Sequence, residues 1–304
     1  MCMTCGCGIG AGARLSLQGA TNKTHEHVRH TKGTRYRAVQ THSHDHQHAH
    51  THESEHNHQT LRVPGRDTQT LQLEAQILGK NQLVAERNRG WLARRGVLAL
   101  NLMSSPGAGK TTLLERTIKD LLANMAISVV EGDQETANDA ERIRATGARA
   151  VQVNTGTGCH LEADMLERAL ALLKPELNSL LLIENVGNLV CPALFDLGER
   201  AKVVIFSVTE GEDKPLKYPH MFGAAEVMLL NKIDLMPYLR FNLDLAISNA
   251  RAVNPALTIF PMSAYTGEGL QDWYDWLKAE LATCGSELAA TANSVHDEIH
   301  ATHA

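Results

Sequence analysis

The chain lacks a basic excess: 29 Lys and Arg stand against 34 Asp and Glu, for a formal charge of −5. No positive field therefore draws it to nucleic acid or to an anionic membrane surface. It also lacks any apolar run near the roughly 18 residues of a spanning helix, and its start lacks the charged-then-apolar order of a signal peptide. Membrane insertion is not expected, and a cytoplasmic protein is. Residues 9–66 have few large aliphatics, and their single aromatic is Tyr36. Such a stretch cannot offset its ordering entropy and is predicted to be disordered. What remains, on the order of 200 residues, suits one compact domain.

From Thr70 the texture changes to "TLQLEAQILGKNQLVAERNRGWLARRG". Apolar residues at Leu73, Ile77, Leu83, Val84 and Leu92, with Gly96 as a stop, predict a leading amphipathic helix over 70–95. "VLALNLMSSPGAGKTTLLERTIKDLL" then reads as a buried strand, a Gly-rich turn and a helix. The turn is a P-loop with Ser104 at its usual first glycine, followed by Gly107, Ala108, Gly109, Lys110, Thr111 and Thr112. Glycines let backbone N–H groups approach phosphate oxygens, and the helix N-terminus adds its dipole. Lys110 is expected to meet the β and γ phosphates, and the Thr111 hydroxyl to ligate Mg(II).

Further aliphatic runs follow at "ISVVEG", "ARAVQVN", "SLLLIE", "AKVVIFSV", "AEVMLLN" and "LTIFPMSA", separated by helical patterns. The predicted fold is α/β, a P-loop NTPase whose mostly parallel sheet is covered by helices on both faces. Ligands of such sheets bind where the strands end, which singles out Asp133, Asn154, Glu184, Asn231 and Ser263. "NKID" at 231–234 reads guanine: Asp234 can accept from the ring N–H and the exocyclic amine, which adenine lacks. Asn231 can fix the loop and reach the Hoogsteen edge, the Lys232 stem can cover the ring, and the Ala264 N–H beside Ser263 can donate to the guanine oxygen. In "LLLIENVGN", Glu184 and Gly187 replace the D-x-x-G of Ras-like GTPases, the carboxylate holding Mg(II) directly or through water and the glycine N–H sensing the γ-phosphate. Asp133 is a second Mg(II) candidate, although a strand-end Asp also caps helices.

Three thiols at Cys2, Cys5 and Cys7 on a small-residue loop can occupy three corners around one metal, with the α-amino group a candidate fourth ligand. A planar arrangement suits Ni(II) and a tetrahedral one Zn(II); a redox-sensing trio is the alternative. His42, His44, His46, His48, His50 and His52 alternate, followed by His56 and His58. They form either a low-selectivity imidazole store for Ni(II), Zn(II) or Cu(II), or a solvated spacer.

"CMTCGCG", "SSPGAGKTT", "EGDQETANDA", "NTGTGCHL", "IENVGNLVCPA", "SVTEGEDKPLKYP" and "NKIDL" together resemble the HypB family, nickel-incorporation GTPases of nickel–iron hydrogenase maturation. The resemblance covers the N-terminal heptad and about 70–283. It implies a GTPase that forms a GTP-favoured homodimer and delivers nickel to a hydrogenase large-subunit precursor with a HypA-like accessory protein. It also implies that Cys159, His160 and Cys191, otherwise readable as core residues, form a second metal site at the dimer interface, for Ni(II) or Zn(II). The implied organisation is a cysteine motif at 1–8, the His-rich region at 9–66, the helix at 70–95, the GTPase domain at 96–283 and a disordered tail at 284–304. Cys284 matches no site and reads as incidental. A urease-accessory nickel GTPase and a metal-storage protein with an incidental nucleotide fold are the alternatives. The former's usual Cys-Pro-His is absent, and the latter predicts no effect of GTP on metal.

Overall fold

A computed structural model of the chain describes residues 14–16, 68–133, 138–156 and 158–301. The cysteines at 2, 5 and 7 and the histidines from 42 to 58 lie outside these residues. In chain order the elements are β1 (Arg14–Ser16), α1 (Thr68–Ala93), β2 (Leu98–Ser104), α2 (Lys110–Leu121), β3 (Ile127–Asp133) and α3 (Asn138–Ala145). Next come β4 (Arg149–Asn154), α4 (Ala163–Leu173), β5 (Leu180–Glu184), the short α5 (Cys191–Leu194) and β6 (Ala201–Ser207). The chain continues through α6 (Lys214–Lys217), α7 (Pro219–Ala224), β7 (Val227–Asn231), α8 (Leu243–Val253), β8 (Thr258–Pro261) and α9 (Leu270–Ala301).

The strands form one sheet in the order β1-β4-β3-β5-β2-β6-β7-β8. All neighbours are parallel except β1, which pairs antiparallel with the edge strand β4. Residues 14–16 are thus a strand inside the stretch predicted to be disordered. Alternating side chains give the sheet two buried faces. Leu98, Leu100 and Leu102 of β2 pack with Leu113 and Ile118 of α2, Ile143 of α3, and Trp273 and Leu277 of α9. On the other face Ala99 joins Leu92 of α1 and Leu166 and Leu170 of α4, whereas Met103 joins Phe222 of α7 and Ala250 of α8. Asn101 stands between Ala99 and Met103, fully buried, so a polar residue separates the two clusters of that face. Each fully buried leucine contributes about 1.5–3 kcal/mol.

Two expectations are corrected. Residues 284–301 of the tail are helical: α9 runs without a break through Cys284 to Ala301. The reason is periodic burial, because Leu270, Trp273, Tyr274, Leu277 and Cys284 all sit in the core, while Arg200 pairs with Glu280 and Glu287 beyond it. Cys284 is therefore a core residue of the last helix. In α1, Leu73 and Leu83 are 46% and 68% exposed, and the buried stripe is Asn81, Val84, Ala85, Asn88 and Leu92. Two asparagines turn inward because each has partners there: Asn81 bonds Asp196 O and the Ala163 N–H, and Asn88 bonds Ala163 O and Leu197 O.

Candidate functional site

The P-loop joins β2 to α2 at the C-terminal edge of the sheet. Gly107 and Gly109 have φ of 78° and 95°, a left-handed turn that exposes successive N–H groups. A side chain at Gly109 would also meet Asn231 Nδ2 at 2.6 Å. Lys110 Nζ and Thr111 Oγ1 both donate to Glu184 Oε1, each at 2.7 Å. Gly187 lies over the loop, its Cβ position 3.3 Å from Pro106 Cγ. Lys110, the Thr111 hydroxyl and the strand-end Glu184 carboxylate thus meet at one point beside the loop.

Glu131, which sequence reasoning passed over, lies opposite Glu184 in the β3–β5 register. Both are buried, and each has an Oε2 without a hydrogen-bond partner. Burial pushes Glu131 up to about 8, with the negative charges of Glu184 and Asp133 adding and Lys110 opposing. Two buried acids with orphaned oxygens, one of them bonded to the Thr111 hydroxyl, are a donor set short of positive charge. They fit a hard divalent cation such as Mg(II), which takes oxygen ligands. The signal available in the sequence was the "EGD" triplet, whose first and third residues share one side of the strand.

At the far side of the P-loop, Asn231 is 1% exposed and spends its amide inside the protein: Nδ2 donates to Ala108 O at 2.9 Å, and Oδ1 accepts from the Ala264 N–H at 3.0 Å. Its observed work is loop fixing, and the Ala264 N–H reaches Asn231 in place of the outward direction expected of it. Lys232 Nζ reaches Gly107 O at 2.6 Å, and Ser263 Oγ donates to Asp234 Oδ1 at 2.5 Å. The three segments 107–111, 231–234 and 263–264 therefore form one connected cradle. Asn154 stands apart from it, its Oδ1 accepting from the Gly156 N–H to close a turn.

Cys159, His160 and Cys191 come together with their ligand atoms all within 4.8 Å of one another. Cys191 is buried at the start of α5, and Cys159 Sγ lies 3.7 Å from His160 Nδ1. The His160 ring packs on Phe195 with centroids 4.0 Å apart. Its buried Nε2 has no hydrogen-bond partner, the Glu162 carboxylate at 3.8 Å being beyond bonding range. Burial pushes His160 down to about 4, which keeps the imidazole neutral and ready to ligate at neutral pH. Two thiols and one neutral imidazole suit Ni(II) or Zn(II).

Residues 98–261 match the family described as CobW/HypB/UreG, nucleotide-binding domain. "Hydrogenase maturation factor HypB" of Rhizobium leguminosarum bv. viciae is 59% identical over 223 residues, 73% of this chain and 75% of that protein. The protein of the same description from Escherichia coli (strain K12) is 48% identical over 291 residues, 92% of this chain and 99% of the relative. Among solved structures, HypB from Helicobacter pylori in complex with nickel is 40% identical with a TM-score of 0.64, covering 67% of this chain and 96% of that one. No described helix is long and apolar enough to cross a membrane.

Proposed function

The chain belongs to the HypB family of hydrogenase maturation factors within the CobW/HypB/UreG nucleotide-binding domains, and on that premise we propose that it is a GTPase that binds nickel and hands it to a hydrogenase precursor. The observation that carries this reading is a single segment of chain. It begins at Glu184, which holds Lys110 and Thr111, passes Gly187 over the P-loop, and ends at Cys191 in the metal-ligand cluster. A change at the phosphates has a short covalent path to the metal.

In the proposed cycle Lys110 leaves Glu184 to meet the β and γ phosphates, and the Gly187 N–H meets the γ-phosphate. Thr111, Glu184 and Asp133 would hold Mg(II), with Glu131 behind them; the ion supplies charge neutralisation at the phosphates. Asp234 selects guanine, held in place by Ser263. Hydrolysis of the isolated protein is slow, about 10⁻⁴ to 10⁻² per second, as in GTPases without a supplied arginine. GTP favours a homodimer that brings two Cys159–His160–Cys191 sets together, and GDP releases it. Cys2, Cys5 and Cys7 form the tightest Ni(II) site and the histidine tract a store. A HypA-like protein and the large-subunit precursor are the partners, in the cytoplasm. Zn(II) is the competing occupant of the internal cluster.

The test uses the full chain with Cys2, Cys5 and Cys7→Ser, so that thiolate-to-nickel charge-transfer absorption reports the internal cluster alone. Ni(II) affinity and dimer fraction are measured with GDP and with a non-hydrolysable GTP analogue. The expected result is a difference in both. Identical affinities with an unchanged dimer fraction would remove the coupling from the proposal and favour simple metal storage.

A further inference from the structure

Asn185 follows Glu184 directly and is fully buried. Its Oδ1 accepts two backbone donors, the Leu161 N–H at 3.1 Å and the Val186 N–H at 3.0 Å. Leu161 is the residue after His160, and Val186 is the one before Gly187. One carboxamide oxygen thus ties the loop carrying Cys159 and His160 to the segment that leaves the P-loop.

The rest of the side chain is anchored too. Asn185 Nδ2 donates to Asn101 Oδ1 at 3.1 Å, and Asn101 Nδ2 donates to Glu199 Oε1 at 3.1 Å. Lys202 Nζ pairs with the same Glu199 oxygen at 3.0 Å and donates to Phe195 O at 3.3 Å. Phe195 carries the ring against which His160 packs. The bonds form a closed circuit: from Asn185 through Asn101, Glu199 and Lys202 to Phe195, across to His160, and back through Leu161 to Asn185. His160 is gripped on both sides, by its backbone neighbour and by its ring.

A buried carboxamide costs stability unless its donors and acceptors are met, and here they are met by groups belonging to two different sites. A displacement of Asn185 cannot be absorbed locally, because every atom of its amide is committed. We propose that Asn185 is the positioning residue that transmits the state of Glu184 and Gly187 to the Cys159–His160 loop. Nucleotide exchange then changes the geometry of the metal ligands through the Asn185–Leu161 bond and not only through the chain leading to Cys191. This inference rests on the nucleotide–metal coupling proposed above.

The experiment measures the ratio of Ni(II) affinities with GDP and with the GTP analogue, in the full chain with Cys2, Cys5 and Cys7→Ser, with and without Asn185→Ala. Coupling between sites commonly spans about 5- to 150-fold. The parent is expected to fall in that range, and Asn185→Ala to collapse the ratio to within about 2-fold while still binding each ligand. A parent ratio that Asn185→Ala leaves intact would overturn the assignment alone. A parent ratio of one would instead remove the underlying coupling. A second measurement needs no variant, so a folding defect cannot shelter the idea: amide hydrogen exchange of the parent across the peptide containing Leu161. Protection there is expected to change between the GDP and GTP-analogue forms, and equal protection in both would overturn the role of Asn185.

Discussion

Around the P-loop the side chains are charged and incompletely partnered, whereas around Cys159, His160 and Cys191 the framework is mostly neutral carboxamide and closely partnered. At the first, Glu184 and Glu131 each keep a buried oxygen without a partner, and one lysine serves the pair. At the second, Asn81, Asn88, Asn101 and Asn185 bond Leu161, Ala163, Val186, Asp196, Leu197 and Glu199, and Asn185 bonds Asn101. A region short of positive charge is built to bind ions that bring it. A framework whose carboxamides are satisfied keeps the side chains it surrounds in place.

The sharpest way to break this comparison is at Lys110. Its side chain is 12% exposed and that of Glu184 only 2%, so Lys110→Ala strands a buried carboxylate. Removing one partner of a buried pair costs about 3–5 kcal/mol. Lys110→Ala should therefore lower stability by that amount in denaturant titrations and lose GTP binding as well. Adding Glu184→Gln should restore stability without restoring GTP affinity. A single variant as stable as the parent would mean that the two charges are not dependent on each other.

The neutral region has its own test in pH. Burial moves His160 from 6.5 down to about 4, so the folded state refuses a proton that the unfolded state accepts. In metal-free protein the contribution is whole above about pH 6.5, drains away as pH falls toward 4, and is constant below that. The full span is on the order of 3 kcal/mol. Because Glu131, raised to about 8, gains stability over the same range, the test is a difference: between pH 7.5 and 4.5 the parent should lose that much more stability than His160→Gln does. Equal pH dependence in both would mean that the imidazole is wetter than its packing against Phe195 implies.

Base selection should change by less. Asp234→Asn places an amide donor where guanine already presents donors, and losing a bidentate contact costs about 1–3 kcal/mol. GTP affinity should fall accordingly and xanthine-nucleotide affinity should rise, measured by competition titration. Ser263, which donates to Asp234 Oδ1, can satisfy the Asn oxygen equally well, so stability should hardly move. Unchanged GTP affinity would displace Asp234 from base recognition.

The charged region was legible in sequence because its chemistry depends on local spacing: Gly107 to Thr111, Glu184 to Gly187 and Asn231 to Asp234 are each contiguous. The parallel sheet followed from the aliphatic runs. Glu131 escaped because it became informative only opposite Glu184, 53 positions later in the chain. The inward asparagines of α1 escaped for the same reason, Asn88 meeting partners 75 and 109 positions away. Apolar periodicity counted Leu73 and Leu83 as core and had no means of counting Asn81 and Asn88. The Cys159–His160–Cys191 cluster was reached through family resemblance, since two cysteines and a histidine 32 positions apart at most carry no spacing signature of their own.

Asn88 offers the gentlest test of whether the neutral framework only holds or also positions. It is 2% exposed, and its Nδ2 serves Ala163 O at 2.8 Å and Leu197 O at 3.0 Å. Those carbonyls lie just beyond the two segments that carry the candidate metal ligands, one following His160 and the other following Cys191. Gly198 lets the second segment approach α1 closely, since a side chain there would stand 2.5 Å from Ala85 O. Asn88→Ala removes one donor from two buried acceptors and should cost about 1–2 kcal/mol. Among the described residues Asn88 bonds Ala163 and Leu197 and not the P-loop, so GTP affinity should stay where it is. The nickel charge-transfer spectrum of the internal cluster should nevertheless broaden, because the two segments lose one of the two asparagine bridges, Asn81 being the other, that set their separation. A stability loss with an unaltered nickel spectrum would make α1 a scaffold only and leave positioning to Asn185 and its circuit.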